Sequence, residues 1–226
     1  MTVPVPDPRA VRTANLEELR RLRLPLPPPQ FPLVWEPGDR VELRPTAEIE
    51  ARTAILHLVV SRCFGMPAEA GMSWLLAAHL MEAVTPLEWQ FVAGNKGDHR
   101  SFVLHHDAVF ALAWVLGLVD HLDPESPTDE RLMGMLPNLV ADETYAQWRS
   151  RTLVAPRSAV EVAAMLDLYY CLDWAHLEIE RVGAERPGMI DANAIGQRRW
   201  ALEWVTVFHG PFHDPPCGWE QVDLST

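Results

Sequence analysis

The sequence predicts an all-α protein, and three observations carry that expectation. Apolar residues recur at spacings of three and four along most of the chain, the period of an amphipathic helix. Two capping boxes, Thr85-Pro-Leu-Glu88 and Ser158-Ala-Val-Glu161, mark helix starts. No strand pattern exceeds four residues. The expected architecture is a single-domain, orthogonal or bundle-like helical array. It carries a proline-rich N-terminal arm and an irregular C-terminal tail.

The arm comes first, residues 1–45, and holds ten of the 20 prolines. Proline fixes φ and removes a donor, so this segment reads as extended, with one short helix from Asn15 to Arg23. Leu16, Leu19 and Leu22 share one face of that helix, and Pro25 stops it. The arm also carries Leu24, Leu26, Phe31, Leu33 and Trp35, which favour packing on a body. A competing reading holds Pro27-Pro28-Pro29 out for a partner.

Residues 46–226 read as the helical domain. Thr46 is positioned to cap a helix to about Phe64, with Ile49, Thr53, Leu56, Val60 and Phe64 on one stripe. Pro67 opens a second helix, and Pro86, behind the Thr85 cap, opens a third through Val92. Phe102 to Val119 reads as a strongly apolar central helix. Weak helices follow at about Asp129 to Leu136 and Glu143 to Arg149. Ala159 to about Arg181 is a long helix with Val162, Met165, Leu166, Tyr169 and Leu172 largely inward. A last helix spans roughly Ala192 to Phe208, and the tail with Pro211, Pro215, Pro216 and Gly218 reads as irregular. The four long helices are expected around one core.

Composition narrows the function. The chain is 226 residues long, 48% hydrophobic and 22% charged, the balance of a globular protein. Its net charge of −12 disfavours nucleic-acid backbones and anionic membrane surfaces. Cys63, Cys171 and Cys217 are odd in number and widely spaced, which implies no disulfide framework. The start, MTVPVPDPR, lacks the pattern of a secretory signal, and the apolar run Ala108–Val119 is too short for a bilayer. A cytoplasmic protein is expected. The chain has no Gly-x-Ser-x-Gly, Walker or Gly-x-Gly-x-x-Gly motif, so those reaction classes lack support.

One constellation on the long helix stands out. Asp167, Tyr170 and Trp174 fall at i, i+3 and i+7 and share a face, with Cys171 beside them. An acid on an apolar face needs a partner. Arg198 from the last helix is the expected one, with Arg157 second. The arrangement reads either as a buried ion pair fixing helix register or as an aromatic-floored pocket with one carboxylate. Glu88 and Trp204 complete the candidate set. His105-His106-Asp107 cannot gather one metal from adjacent helical positions alone, even with His57 and His79 on other helices. The best metal-like spacing is His209, His213 and Cys217, yet prolines and a glycine interrupt it. No metal site and no cofactor is expected.

Several phrases together carry a resemblance. They are Arg12-x-x-Asn15-x-x-x-Leu19, Thr85-Pro-x-Glu88, Ala113-Trp-Val-Leu-Gly-Leu after Asp107, Asp167-Leu-Tyr-Tyr with Trp174-Ala, Arg198-x-x-Ala-Leu-x-Trp204, and the terminal Trp219-Glu-Gln-Val. In order and over nearly the whole chain, they resemble the bacterial family of unknown function DUF4272. The chain departs from the family's usual pattern at Leu104 to His106, which replace tryptophan, arginine and tyrosine. Cys171 stands where an arginine is common, and Gln197 where a glutamate is. A member that has lost such groups implies that the polar positions are structural.

The functional expectation is therefore a non-catalytic binding or protein-interaction domain. One version is immunity- or antitoxin-like, with an acidic surface facing a basic protein partner. The alternative is an enzyme or small-ligand binder around Asp167, Tyr170 and Arg198.

Overall fold

A computed structural model of the chain describes residues 7–94, 96–128, 131–185, 192–211 and 213–225. Nine α-helices and one two-stranded ribbon are found among them. The fold is mostly helical, as the period and capping boxes predict. The chain divides into two compact units. The first comprises Met1–Arg44, Asp123–Pro127 and Arg157–Thr226; the second comprises Pro45–Leu122 and Thr128–Pro156. The four long helices, expected around one core, thus fall into two pairs.

The first unit begins with α1, Pro8–Arg21. It starts earlier than its leucine stripe suggests, because the Asp7 side chain accepts from Arg9 N and Pro8 occupies the first helical position. Leu19, Leu24 and Trp35 of the arm are buried, and Leu16, Leu22, Leu26, Phe31 and Leu33 are half-buried. Within the proline run, Pro27 is buried, Pro28 half-buried and Pro29 exposed. Two helices complete the unit: α8, Ala159–Val182, and α9, Ala192–Val205. They pack on each other, and α1 packs on α8. Ser158 and Glu161 cap α8 reciprocally, and Gly183, at φ +66°, closes it.

Helix α9 was expected to reach Phe208 but stops at Val205. Residues Thr206–His209 form a strand, β2, antiparallel to β1, Arg40–Leu43. The pairs are Arg40 with His209, Val41 with Phe208, Glu42 with Val207 and Leu43 with Thr206. A Thr-Val-Phe-His run suits a half-buried strand, and pairing with β1 outweighs one further helical turn. The tail beyond it is anchored by Trp219, which is buried against Trp200 and Trp204.

The second unit holds α2, Thr46–Cys63; α3, Ala68–Ala77; α4, Pro86–Gly94; α5, His99–Val115; α6, Leu132–Met135; and α7, Tyr145–Arg151. Its centre is the packing of α2 on α5. Thr85 and Glu88 exchange the two expected capping hydrogen bonds, Thr85 N to Glu88 Oε2 at 2.8 Å and Glu88 N to Thr85 Oγ1 at 3.3 Å. Asp98 caps α5 through Arg100 N, which is why α5 begins before Phe102. Gly117, at φ +75°, lies where a Cβ would come within 2.8 Å of Ala155 O, so α5 ends short of Val119. The expected helix starting at Asp129 has its first residues outside the described ones, as does Phe212 in the tail.

Candidate functional site

Asp167 is 1% exposed, as an acid on an apolar helix face demands, but its partner is not Arg198. Arg12 and Asn15, one turn apart on α1, both face it. Arg12 Nη2 donates to Asp167 Oδ1 at 2.7 Å and Arg12 Nε to Oδ2 at 3.1 Å. Asn15 Nδ2 donates to Oδ2 at 2.9 Å and to Ala164 O at 3.1 Å. Arg12 also donates to Pro32 O at 2.8 Å, so one guanidinium ties α1, α8 and the extended arm together. Phe31 covers the pair, stacking on Tyr170 at 4.6 Å, with Trp174 at 6.0 Å. Asp167 therefore has its charge neutralised and its oxygens occupied, and this cluster is a structural clasp.

Arg198 serves a different place. It is fully buried and donates to Asp123 O at 3.0 Å, to Ser126 O at 3.1 Å and to Tyr169 Oη at 3.3 Å. Its role includes holding the 123–127 segment. The mistaken pairing has a plain cause: Arg198 was the nearest candidate by helix order, while Arg12 is 155 residues from Asp167. The available signal was Arg12-x-x-Asn15, two polar residues on one helical face.

The remaining candidates separate. Glu88 belongs to the second unit, paired with buried Arg52 at 2.6 Å and serving as a cap. Trp204 lies under Arg44, 4.9 Å from ring centre to guanidinium, and meets Trp219. His209 contacts Glu42 at 3.1 Å and His213 contacts Asp39 at 2.8 Å, while Cys217 is exposed. These three are not brought together, and no group of three or more His, Cys, Asp or Glu able to hold a metal is found among the described residues.

Beside the clasp, within the first unit, lies a cleft of about 230 Å³ that sequence reasoning missed. The arm contributes Leu33 and Val34, α8 contributes Tyr170, and α9 contributes Arg199 and Glu203. β2 and the tail close it with Phe208, His213, Asp214, Asp223 and Ser225. Arg199 is 1% exposed and committed: Nη1 donates to Asp173 at 2.5 Å and to Leu224 O at 3.1 Å, and the guanidinium lies 4.6 Å over the Tyr170 ring. Glu203, one turn on, approaches Arg199 Nε only to 3.5 Å, and that Nε has no hydrogen-bond partner. Such a separation is too long for a good hydrogen bond. Burial pushes the Glu203 carboxyl above its ordinary value, against the pull of Arg199, and the charges of Asp173 and Asp223 push the same way. An Arg-Glu pair at i, i+4 looks like a surface pair in sequence. The signal available was its place beside the apolar run Ala201, Leu202, Trp204 and Val205 of that helix.

The other reactive groups nearby are quiet. Burial and then the Asp167 charge push the Cys171 thiol up to about 12, so it stays protonated. Burial raises the Tyr170 phenol as well.

Residues 12–222 match the family described as Domain of unknown function (DUF4272). No curated protein and no solved structure matches the chain.

Proposed function

We propose that the chain, which belongs to the DUF4272 family, acts in the cytoplasm by binding rather than by catalysis. Its binding seat is the cleft between Tyr170, Glu203 and Phe208. One observation carries the reading: Glu203 lines a cavity yet has no short hydrogen bond among the described residues, while Arg199 and His213 beside it are paired with Asp173 and Asp39. A partly buried polar group with unused capacity favours an occupant that completes it. Catalysis has less support, because the acid first suspected, Asp167, is spent on Arg12 and Asn15. Cytoplasmic residence is in keeping with free cysteines and with described helices that are none of them long and apolar enough to cross a membrane.

The test is ligand-observed NMR with a panel of small polar molecules of positive, zero and negative charge. The expected result is saturation transfer to at least one of them, abolished in Ser225→Tyr, which fills the cleft from its rim. No transfer to any panel member, or transfer that persists in Ser225→Tyr, would overturn the reading. A second reading, a basic protein held by an acidic surface, rests on the net charge of −12. It requires capture of that partner to weaken steeply with added salt.

A further inference from the structure

The charges lining the cleft do not balance. Arg199 brings its own carboxylate, Asp173 at 2.5 Å, and its face is closed by Tyr170. His213 likewise brings Asp39, at 2.8 Å. Each of these is a closed pair, with little attraction left for an anion. Among the described residues, the three other lining carboxyl groups have no cation so near: half-buried Glu203, 3.5 Å from Arg199 Nε, and Asp214 and Asp223 at the exposed rim. Asp223 does accept a hydrogen bond from Ser225 N at 2.8 Å, but that donor is neutral. The Arg199 Nε nearest Glu203 is itself inaccessible, so an incoming molecule meets the carboxyl and not the guanidinium.

We infer that the cleft takes a small organic cation bearing N–H donors, a primary ammonium or a guanidinium, seated on Glu203. The inference rests on the binding role proposed above and names its ligand class. Acceptors at depth and at the rim match the donors of such a group, and a charge-assisted bond to a carboxylate is the strong kind. The cavity of about 230 Å³ limits the occupant to a small molecule, below the usual size of a drug pocket. The protein's net charge of −12 raises the local concentration of cations. Seating a cation also favours the ionised form of Glu203, against the upward push of burial and of the Asp173 and Asp223 charges and alongside the pull of Arg199.

The experiment is isothermal titration calorimetry of the full chain with methylguanidinium, putrescine, 1,4-butanediol and acetate. Methylguanidinium or putrescine is expected to bind at least tenfold more tightly than butanediol or acetate. Glu203→Gln is expected to weaken that binding at least tenfold, with a melting temperature no lower than the native chain's. Should that variant fold poorly, Asp223→Asn at the exposed rim is expected to weaken binding at least threefold. Cation binding unchanged in both variants overturns the inference. Acetate binding in preference, lost in Ser225→Tyr, overturns the ligand class while leaving the cleft as a binding seat. No binding by any of the four, together with a silent NMR panel, overturns both.

Discussion

Asp167 and Glu203 are two acids on packed helices of one unit, and they have opposite fates. Asp167 sits mid-helix on α8 and receives hydrogen bonds from Arg12 and Asn15, with Phe31 closing the site. Glu203 sits near the end of α9, in a long ion pair with Arg199 at 3.5 Å and without a good hydrogen bond to it. The difference lies in the competing partners. Arg12 has one carboxylate to serve, and its other donors reach backbone carbonyls of the arm. Arg199 has Asp173 and Leu224 O to serve first, which leaves Glu203 the poorer geometry. An acid drawn out of bulk water, whether buried like Asp167 or half-buried like Glu203, thus indicates a clasp or a seat according to whether its cation is already taken.

The largest effect that would break the contrast is at Asp167. Replacing it with Ala strands the buried Arg12 and should cost about 3–5 kcal/mol in urea denaturation. A loss below about 1 kcal/mol, the range of an exposed pair, would erase the distinction from Glu203.

His57 in the second unit extends the contrast to a base. It is buried, donates from Nε2 to Pro137 O at 3.0 Å, and is pushed down to about 4, by burial first and by the charge of His106 as well. The unfolded chain takes up this proton near 6.5 and the folded chain only near 4. Stability from the neutral ring is therefore full above pH 6.5 and lost as pH falls toward 4. The loss amounts to about 3 kcal/mol relative to His57→Gln, at roughly 1.4 kcal/mol per pH unit. Parallel pH profiles for the two proteins would remove His57 from the set of committed groups.

Glu203 should show the smallest effect and the opposite slope. Its folded carboxyl lies above the ordinary value of 4.5, so its contribution is present below pH 4.5 and lost as pH rises through the folded value. Paired melts of the native chain and Glu203→Gln should agree to within about 0.5 kcal/mol at pH 4.5, with the variant gaining as pH rises. A variant that loses ground with rising pH would place Glu203 among the clasps.

What the sequence made legible was local. Thr85 with Glu88 and Ser158 with Glu161 are each three residues apart, and both capping boxes form as read. The burial of Asp167 was legible because an acid on an apolar face is costly alone. Its partner was not, since nothing in a helical period says that residue 12 meets residue 167. The grouping of α2 with α5 and of α8 with α9 was hidden for the same reason: all four share one apolar period. The strand at Thr206–His209 was read as helix because a four-residue run carries less pattern than the helix preceding it. The cleft lay beyond sequence reading because residues 33–34, 170, 199–208 and 213–225 meet only in three dimensions.

The ribbon of β1 and β2 has a consequence during synthesis. Leu43 cannot find Thr206 until 163 further residues have been made, which at 5–20 residues per second takes roughly 8–30 s. All of the second unit, Pro45–Leu122 and Thr128–Pro156, is translated within that interval. It has its full sequence, and the chance to fold, while the first unit still lacks α9 and its strand. Meanwhile Leu19, Leu24 and Trp35, destined for burial, stay in water beside the ribosome. The nascent arm is thus the stretch on which a chaperone acting during translation would have its longest opportunity.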